Sequence, residues 1–145
     1  MSKDLSVHFS SLRTDWATPS HLYLALDEEF HFTLDPCKLG DEGGLFGRRD
    51  GLLHSWKGQR VFCNPPYGPA ISDWLRNAME ADIAVYLLPA RTDTQWFHEH
   101  VLRYAKEIRF LRGRLRFGGA KSGAPFPSMV VIYSHSGVFG PEARP

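Results

Sequence analysis

Val61-Phe62-Cys63-Asn64-Pro65-Pro66-Tyr67-Gly68 is the stretch that decides how the rest of this chain is read. An apolar run over residues 61–63 stops abruptly at a polar side chain, two prolines and an aromatic ring. This pattern predicts a strand end followed by a rigid, exposed tetrapeptide. The prolines fix φ and remove two backbone donors. What remains is a set of acceptors, the Asn64 side-chain oxygen and the Pro65 carbonyl, beside the flat ring of Tyr67. Those groups suit an exocyclic NH2 and the planar base that carries it. Asn-Pro also opens ordinary turns and Pro-Pro marks loops. At average residue usage, however, the whole pattern arises by chance in roughly one chain in several hundred of this length. A plain turn is therefore the weaker reading.

The flanking segments alternate between helical and strand patterns. After the tetrapeptide, Ile71, Trp74, Leu75, Ala78 and Met79 fall at i, i+3, i+4, i+7 and i+8, which predicts an amphipathic helix. Residues 83–88 are continuously apolar and end at Pro89, the pattern of a central parallel strand. Thr92-Asp93-Thr94-Gln95 has the form of a capping box for a helix that turns Trp96, Phe97, His100, Val101 and Tyr104 inward. Trp74, Trp96 and Phe97 are read as core. Residues 107–111 form the next predicted strand. Gly113 breaks it, and Leu115 and Phe117 alternate with Arg114 and Arg116 in another. The glycine-rich residues 118–123 lead into a final apolar strand at 128–133.

On the amino side, Thr18 as N-cap and Pro19 at the first helical position open a helix carrying Leu22, Tyr23, Leu26 and Phe30 at helical spacing. Residues 31–34 form a short buried strand that ends in Asp35-Pro36. Residues 38–51 are a glycine-rich, charged loop, and 59–63 are the strand that ends at Asn64. This βα-βα-ββ succession predicts a three-layer α/β domain, mostly parallel with an antiparallel edge hairpin. It covers residues 15–136, between a flexible N-terminus at 1–14 and a flexible tail at 137–145.

Composition narrows the class. The chain has 145 residues, of which 43% are hydrophobic and 23% charged, so it reads as one ordinary globular domain. It has no apolar run long enough to span a membrane and no signal-peptide core at Met1-Ser2-Lys3-Asp4. Cys37 and Cys63 offer neither a metal spacing nor a disulfide framework, and a reducing cytoplasm is the natural compartment. His98-Glu99-His100 lacks the helical zinc spacing, so no metal is expected. The net charge is only +1, but its distribution is uneven. Arg103, Lys106, Arg109, Arg112, Arg114, Arg116 and Lys121 face a single acid, Glu107. Such density can track phosphates, or it can protect a sheet edge.

The order of the motifs matters as much as their content. Thr18-Pro19, then Asp35-Pro36-Cys37, then Asn64-Pro65-Pro66-Tyr67-Gly68 resembles the gamma arrangement of DNA N6-adenine methyltransferases. The blocks Asp15-Trp16-Ala17-Thr18-Pro19, Phe32-Thr33-Leu34-Asp35, Leu88-Pro89-Ala90-Arg91-Thr92-Asp93-Thr94, Arg112-Gly113-Arg114-Leu115-Arg116-Phe117 and Ala124-Pro125-Phe126-Pro127-Ser128 are similar to the small phage and prophage members of that class, the Dam-like phage family. The resemblance spans residues 15–134. It implies a shortened Rossmann-like methyltransferase sheet with strand order 1-4-5-7-6, placing Asp35 and Asn64 at the carboxyl ends of adjacent strands. It also implies a bacterial host cell.

The same resemblance implies the chemistry. S-adenosylmethionine is the expected cofactor and DNA the expected partner. Asn64, Pro65, Pro66 and Tyr67 are the implied catalytic residues. Asn64 and the Pro65 carbonyl accept the N6 hydrogens, Tyr67 stacks on a base rotated out of the duplex, and Pro66 stiffens the loop. Thr18, Pro19, Asp35, Cys37, Gly40 and Asp50 are the implied cofactor residues, with Gly43 and Gly44 as further candidates for the glycine turn. Two βα units of a full-length methyltransferase have no room between Cys37 and the strand at 59–63. Arg91, Arg112, Arg114, Arg116 and Lys121 are the implied DNA contacts, and Trp16 and Arg91 border the site. Two other readings keep the tetrapeptide: methylation of an RNA base or a protein glutamine, and a non-catalytic remnant that binds nucleic acid.

Overall fold

The computed structural model describes residues 17–38, 51–119 and 122–135. The expected flexible ends, Trp16, Gly40, Gly43, Gly44, Asp50 and Lys121 lie outside the described residues.

Helix α1, Ser20–Phe30, stops without a glycine. His31 adopts a left-handed conformation (φ 54°) and donates its N–H to the Asp27 carbonyl, while Phe32 N–H bonds the Asp27 carboxylate at 2.9 Å. This sharp exit lays Phe32 against Phe62, with ring centroids 5.3 Å apart. The predicted Thr18 cap is not formed. Pro19 is the N-cap residue, and no side chain caps the helix.

Among the described residues four strands make the sheet: β1 (Arg60–Cys63), β2 (Ile83–Pro89), β3 (Glu107–Phe110) and β4 (Ser128–Ser134). Their spatial order is β1-β2-β4-β3. The short buried strand expected at 31–34 is reduced to one parallel bridge, Leu34 to Val61, beside β1, and none of its four residues is buried. The neighbours are therefore those of the expected order, but the directions differ. Only β1 and β2 pair in parallel; β2–β4 and β4–β3 are antiparallel. The expectation of a mostly parallel sheet with an edge hairpin is corrected on this point. β4 is an interior strand threaded between β2 and β3. All seven of its residues are buried, as are all seven of β2. A continuous apolar run records burial on both faces and carries no information about strand direction.

The predicted strand through Arg114, Leu115, Arg116 and Phe117 is absent as well. Gly113 turns the chain with φ 74°, and the segment runs irregularly into a 3-10 turn at Phe117–Gly119. Its polar–apolar alternation arises because the two arginines are exposed while Leu115 packs on the core and Phe117 is buried.

Paired residues on neighbouring strands share a face of the sheet. Phe62, Val85 and Ile132 line one face, which α1 covers through Tyr23, edge-on to Phe62 at 5.1 Å. Cys63, Tyr86 and Val131 line the other. Helix α2, Ile71–Arg76, and a π-helical turn, Phe97–Leu102, cover that second face. Tyr86 Oη donates to the Trp74 carbonyl at 2.5 Å, and Tyr133 Oη to the His100 carbonyl at 2.7 Å. Each buried phenol is thus bonded to the helix above it, as burial of a polar group requires.

Two helix details differ from expectation. After Arg76 the chain tightens into a 3-10 turn, Asn77–Glu80, and the change of pitch leaves Met79 53% exposed while Ala78 stays buried. Thr94, not Thr92, caps the following helix, accepting the Phe97 N–H at 3.2 Å. No helix among the described residues is long and apolar enough to cross a membrane.

Candidate active site

β1 and β2 run in the same direction, and Leu34 runs parallel to β1. Asp35, Asn64 and Ala90 therefore all emerge at one edge of the sheet, the carboxyl edge at which open α/β sheets bind ligands. Phe62 N–H bonds the Leu34 carbonyl at 3.0 Å, which ties Asp35 and Asn64 to adjacent strand ends.

Asn64 is partly buried, and its Nδ2 donates to Thr18 Oγ1 at 3.0 Å. Pro65 is buried behind it. Tyr67 is more enclosed than the sequence suggested: it is only 8% exposed, and its hydroxyl donates to the Leu87 carbonyl at 3.2 Å. Burial and the nearby Cys37 and Cys63 hold this phenol well above its usual pKa, so it stays neutral. The Tyr67 ring meets Phe126 edge to face, with centroids 5.5 Å apart and planes at 74°. Phe126 in turn packs on Phe117 at 5.9 Å, and the Arg91 guanidinium lies 5.8 Å from the centre of the Phe126 ring. Three buried rings, Tyr67, Phe126 and Phe117, thus pack in series, with the exposed Arg91 at the Phe126 end.

The segments that carry these groups are joined to one another. Ala90 N–H bonds the Pro127 carbonyl at 2.9 Å, extending the β2–β4 ladder to the edge. Gly118 N–H bonds the Ala17 carbonyl at 3.0 Å, fastening the turn after Arg116 onto the residue before Thr18. Gly118 has φ 58° there, a conformation that glycine adopts at little cost.

The implied cofactor residues separate into groups. The partly buried Asp35 carboxyl lies near enough to Tyr23 to raise its pKa, after the larger effect of burial and that of Asp27. Pro19 is buried at the head of α1. Cys37 is buried with its Sγ 3.1 Å from Cys63 Sγ, so any contact it makes with a ligand falls to its backbone. The chain spacing of the two cysteines gave no hint of this contact. Thr18 turns its hydroxyl to Asn64.

The arginines also divide. Arg109 is held by Glu29 (2.6 Å) and Glu107 (2.7 Å) and lies over the Phe30 ring, so it ties β3 to α1. Arg112, Arg114 and Arg116 are exposed and follow β3, which runs in the same direction as β2, so they leave the sheet at the same edge as Asn64. Arg114 Nη1 bonds the Ala124 carbonyl at 3.3 Å. Gly123 backs onto Arg114 so closely that a Cβ there would lie 2.6 Å from the arginine Cβ. These arginines do not lie on a strand, so the sheet-edge explanation of their charge does not hold for them.

Sequence reasoning gave no role to Phe126, Phe117 or Ala17. A signal was present for Phe126. Pro125-Phe126-Pro127 stands directly before an apolar strand, and an aromatic directly after a proline at a strand boundary is the pattern of Pro66-Tyr67 as well.

Among the described residues no three His, Cys, Asp or Glu side chains converge as metal ligands would. No curated protein and no solved structure matches the chain. A family model does: the one described as DNA N-6-adenine-methyltransferase (Dam) matches residues 6–136, nearly the whole length. With an Asn-Pro-Pro-Tyr strand end at the ligand-binding edge of an α/β sheet, this chain belongs to the Dam family and is a DNA adenine-N6 methyltransferase.

Proposed function

We propose that the methyl donor is S-adenosylmethionine and that Asn64, Pro65 and Tyr67 hold the target adenine. The observation that carries this reading is the position of Asn64. Its amide, bonded to Thr18, stands at the carboxyl end of β1, next to the strand end that leads into Asp35.

The amine of adenine is a poor nucleophile because its lone pair is delocalised into the ring. Asn64 Oδ1 and the Pro65 carbonyl accept the two N6 hydrogens. Drawing both hydrogens to one side favours a pyramidal nitrogen whose lone pair points away from them. The protein mainly aligns the reacting groups. No strong base is required, which suits an amide, because the proton becomes acidic only once the nitrogen is alkylated. Paired adenine hides N6 in the duplex, so the base must leave the stack. The rings of Tyr67 and Phe126 give it an aromatic wall.

The residues present fit the donor. Asp35 puts a carboxylate beside the acceptor set, and S-adenosylmethionine carries both an ammonium and a sulfonium. Asp35 and the backbone of residues 36–38 hold it, joined by Gly40 and Asp50 as the resemblance implies. The donor supplies an electrophilic methyl group. Arg91, Arg112, Arg114 and Arg116 lie on phosphates around the site, supported by the exposure of all four and by the common edge from which they rise. We read the sheet as a shortened Rossmann-like methyltransferase sheet in a single domain over residues 15–136, working in the cytoplasm.

The test is direct. Purified protein is incubated with methyl-labelled S-adenosylmethionine and, separately, DNA, RNA and protein. The DNA is then digested to nucleosides for mass spectrometry. N6-methyladenine in DNA is the expected product. Label found only in RNA or protein would overturn the reading.

A further inference from the structure

We propose that Gly51 is a positioning residue for the methyl donor: lacking a side chain, it presses on the Pro36 carbonyl and sets the turn at Pro36–Lys38. The inference rests on the reading that Asp35 and the backbone of residues 36–38 hold S-adenosylmethionine.

A Cβ on Gly51 would lie 2.1 Å from the Pro36 carbonyl oxygen and 2.8 Å from the Trp74 ring. No side chain fits in that space. The φ of Gly51 lies outside the left-handed region, so its backbone conformation is open to other residues. Close approach to Pro36 therefore accounts for the glycine. The contact is also fixed from behind. Trp56, fully buried, donates its indole N–H to the Gly51 carbonyl at 3.0 Å, and its ring packs on Trp74 with centroids 6.4 Å apart.

The residues around Pro36 are held from β1. The Leu34 carbonyl accepts the Phe62 N–H at 3.0 Å, and Cys37 Sγ meets Cys63 Sγ at 3.1 Å. Between these two supports Pro36 is buried, and its ring fixes its own φ. Gly51 adds a third support at the Pro36 carbonyl. The backbone that leads from Leu34 through the turn is thus braced before a ligand arrives, and a site ordered in advance loses little freedom on binding.

Gly51→Ala tests this. Ordinary contact begins at 3.4 Å, so the added methyl forces the Pro36 carbonyl to move by about 1 Å. The dissociation constant for S-adenosylmethionine, measured by calorimetry, is expected to rise about tenfold to a hundredfold, the scale of such a misplacement. The dissociation constant for DNA is expected to stay within about twofold of wild type. Val101→Ala, on the π-helical turn, thins the same core away from Gly51; it is expected to lower the Tm and to leave the affinity for S-adenosylmethionine within about twofold of wild type. Unchanged S-adenosylmethionine affinity in Gly51→Ala, an equal loss of DNA affinity, or a loss as large in Val101→Ala would each overturn the proposal. Where Gly51→Ala does not fold, Trp56→Phe decides. It releases the Gly51 carbonyl, and S-adenosylmethionine affinity is expected to fall about threefold to tenfold; unchanged affinity there would overturn the proposal. Asp35→Asn in the same titration separates the two ideas. If Asp35→Asn binds S-adenosylmethionine as tightly as wild type, the donor reading itself fails. If Asp35→Asn binds weakly while Gly51→Ala binds normally, only the positioning role fails.

Discussion

Tyr67→Phe separates two duties that the structure gives to one side chain. The ring faces Phe126 at the site, and the hydroxyl is bonded to the Leu87 carbonyl inside the core. Phenylalanine keeps the ring and removes the bond. A net protein hydrogen bond contributes about 0.5–1.5 kcal/mol. At 3.2 Å this one is longer than the usual O–H···O distance of about 2.7–2.8 Å, so about 0.5–1 kcal/mol is the reasonable range. A domain of this size loses about 3–4 °C of Tm per kcal/mol, so the expected drop is about 2–4 °C. The methylation rate at saturating substrates is expected to change less than about twofold, because stacking needs the ring alone. The phenol is neutral across the working pH range, so its removal takes no charge from the site.

Calorimetry and single-turnover kinetics on the same preparation measure both quantities. A large loss of rate with an unchanged Tm would refute the reasoning, since it would give the hydroxyl a part in the chemistry. Tyr67→Ala is a poor substitute for this test. Removing a buried aromatic costs about 3–5 kcal/mol. That is a large share of the 5–15 kcal/mol that typically holds a domain together, and it would obscure any loss of base stacking.

Asn64→Ala is expected to slow methyl transfer by at least about a hundredfold, as for removal of one preorganised polar group, with DNA and S-adenosylmethionine affinities little changed; a near-normal rate in rapid-quench kinetics would contradict the catalytic role. Replacing Arg114 and Arg116 together with Ala is expected to weaken binding to DNA of any sequence and to flatten the dependence of log Kd on log salt by about 0.9 for each phosphate no longer neutralised; a fluorescence titration with an unchanged slope would count against phosphate binding by these side chains. Arg109→Gln is expected to cost about 0.5–1 kcal/mol near pH 7, the upper range for exposed ion pairs. Hydrogen bonding to Arg109 lowers the Glu29 pKa in the folded protein, so the stability it confers is present above the unfolded glutamate pKa, about 4.3, and is lost as pH falls through the lower folded value. The gap between wild type and Arg109→Gln in denaturant melts is therefore expected to narrow below about pH 4; a gap independent of pH would remove Glu29 from the account.

The positions of the four paired strands and the site-bearing strand end were legible because they are local. Polar and proline punctuation marks the strand limits: β1 stops just before Asn64, β2 stops at Pro89, and β4 starts just after Pro127. Partners were less legible. Thr18 before Pro19 has the pattern of a helix cap, and local pattern could not reveal that its hydroxyl serves an asparagine 46 residues away. The same holds for Cys37 and Cys63, whose thiols meet although their chain spacing suggests nothing. Arg109 looked like one more member of a basic stretch. Only folding shows that it is neutralised by Glu29 from α1, while Arg112, Arg114 and Arg116 stay exposed.

The direction of β4 explains why its misreading matters for function. β1, β2 and β3 point the same way, so residues 64–68, 90–91 and 111–117 all leave one edge of the sheet. Had β4 also pointed that way, the chain would have needed a crossover helix to start it from the far edge. Residues 124–127 would then have lain a strand's length away from Asn64. Running antiparallel, β4 begins at the site: Ser128 pairs with Pro89, and Met129 with both Leu88 and Phe110. The loop before β4 therefore reaches the active edge without any helix, carrying Phe126 to Tyr67 and Arg91 and the Pro127 carbonyl to Ala90. In a chain this short, one reversed strand brings Phe126 and the Pro127 carbonyl to the edge that carries Asn64, which two additional βα units could not have done without lengthening the domain.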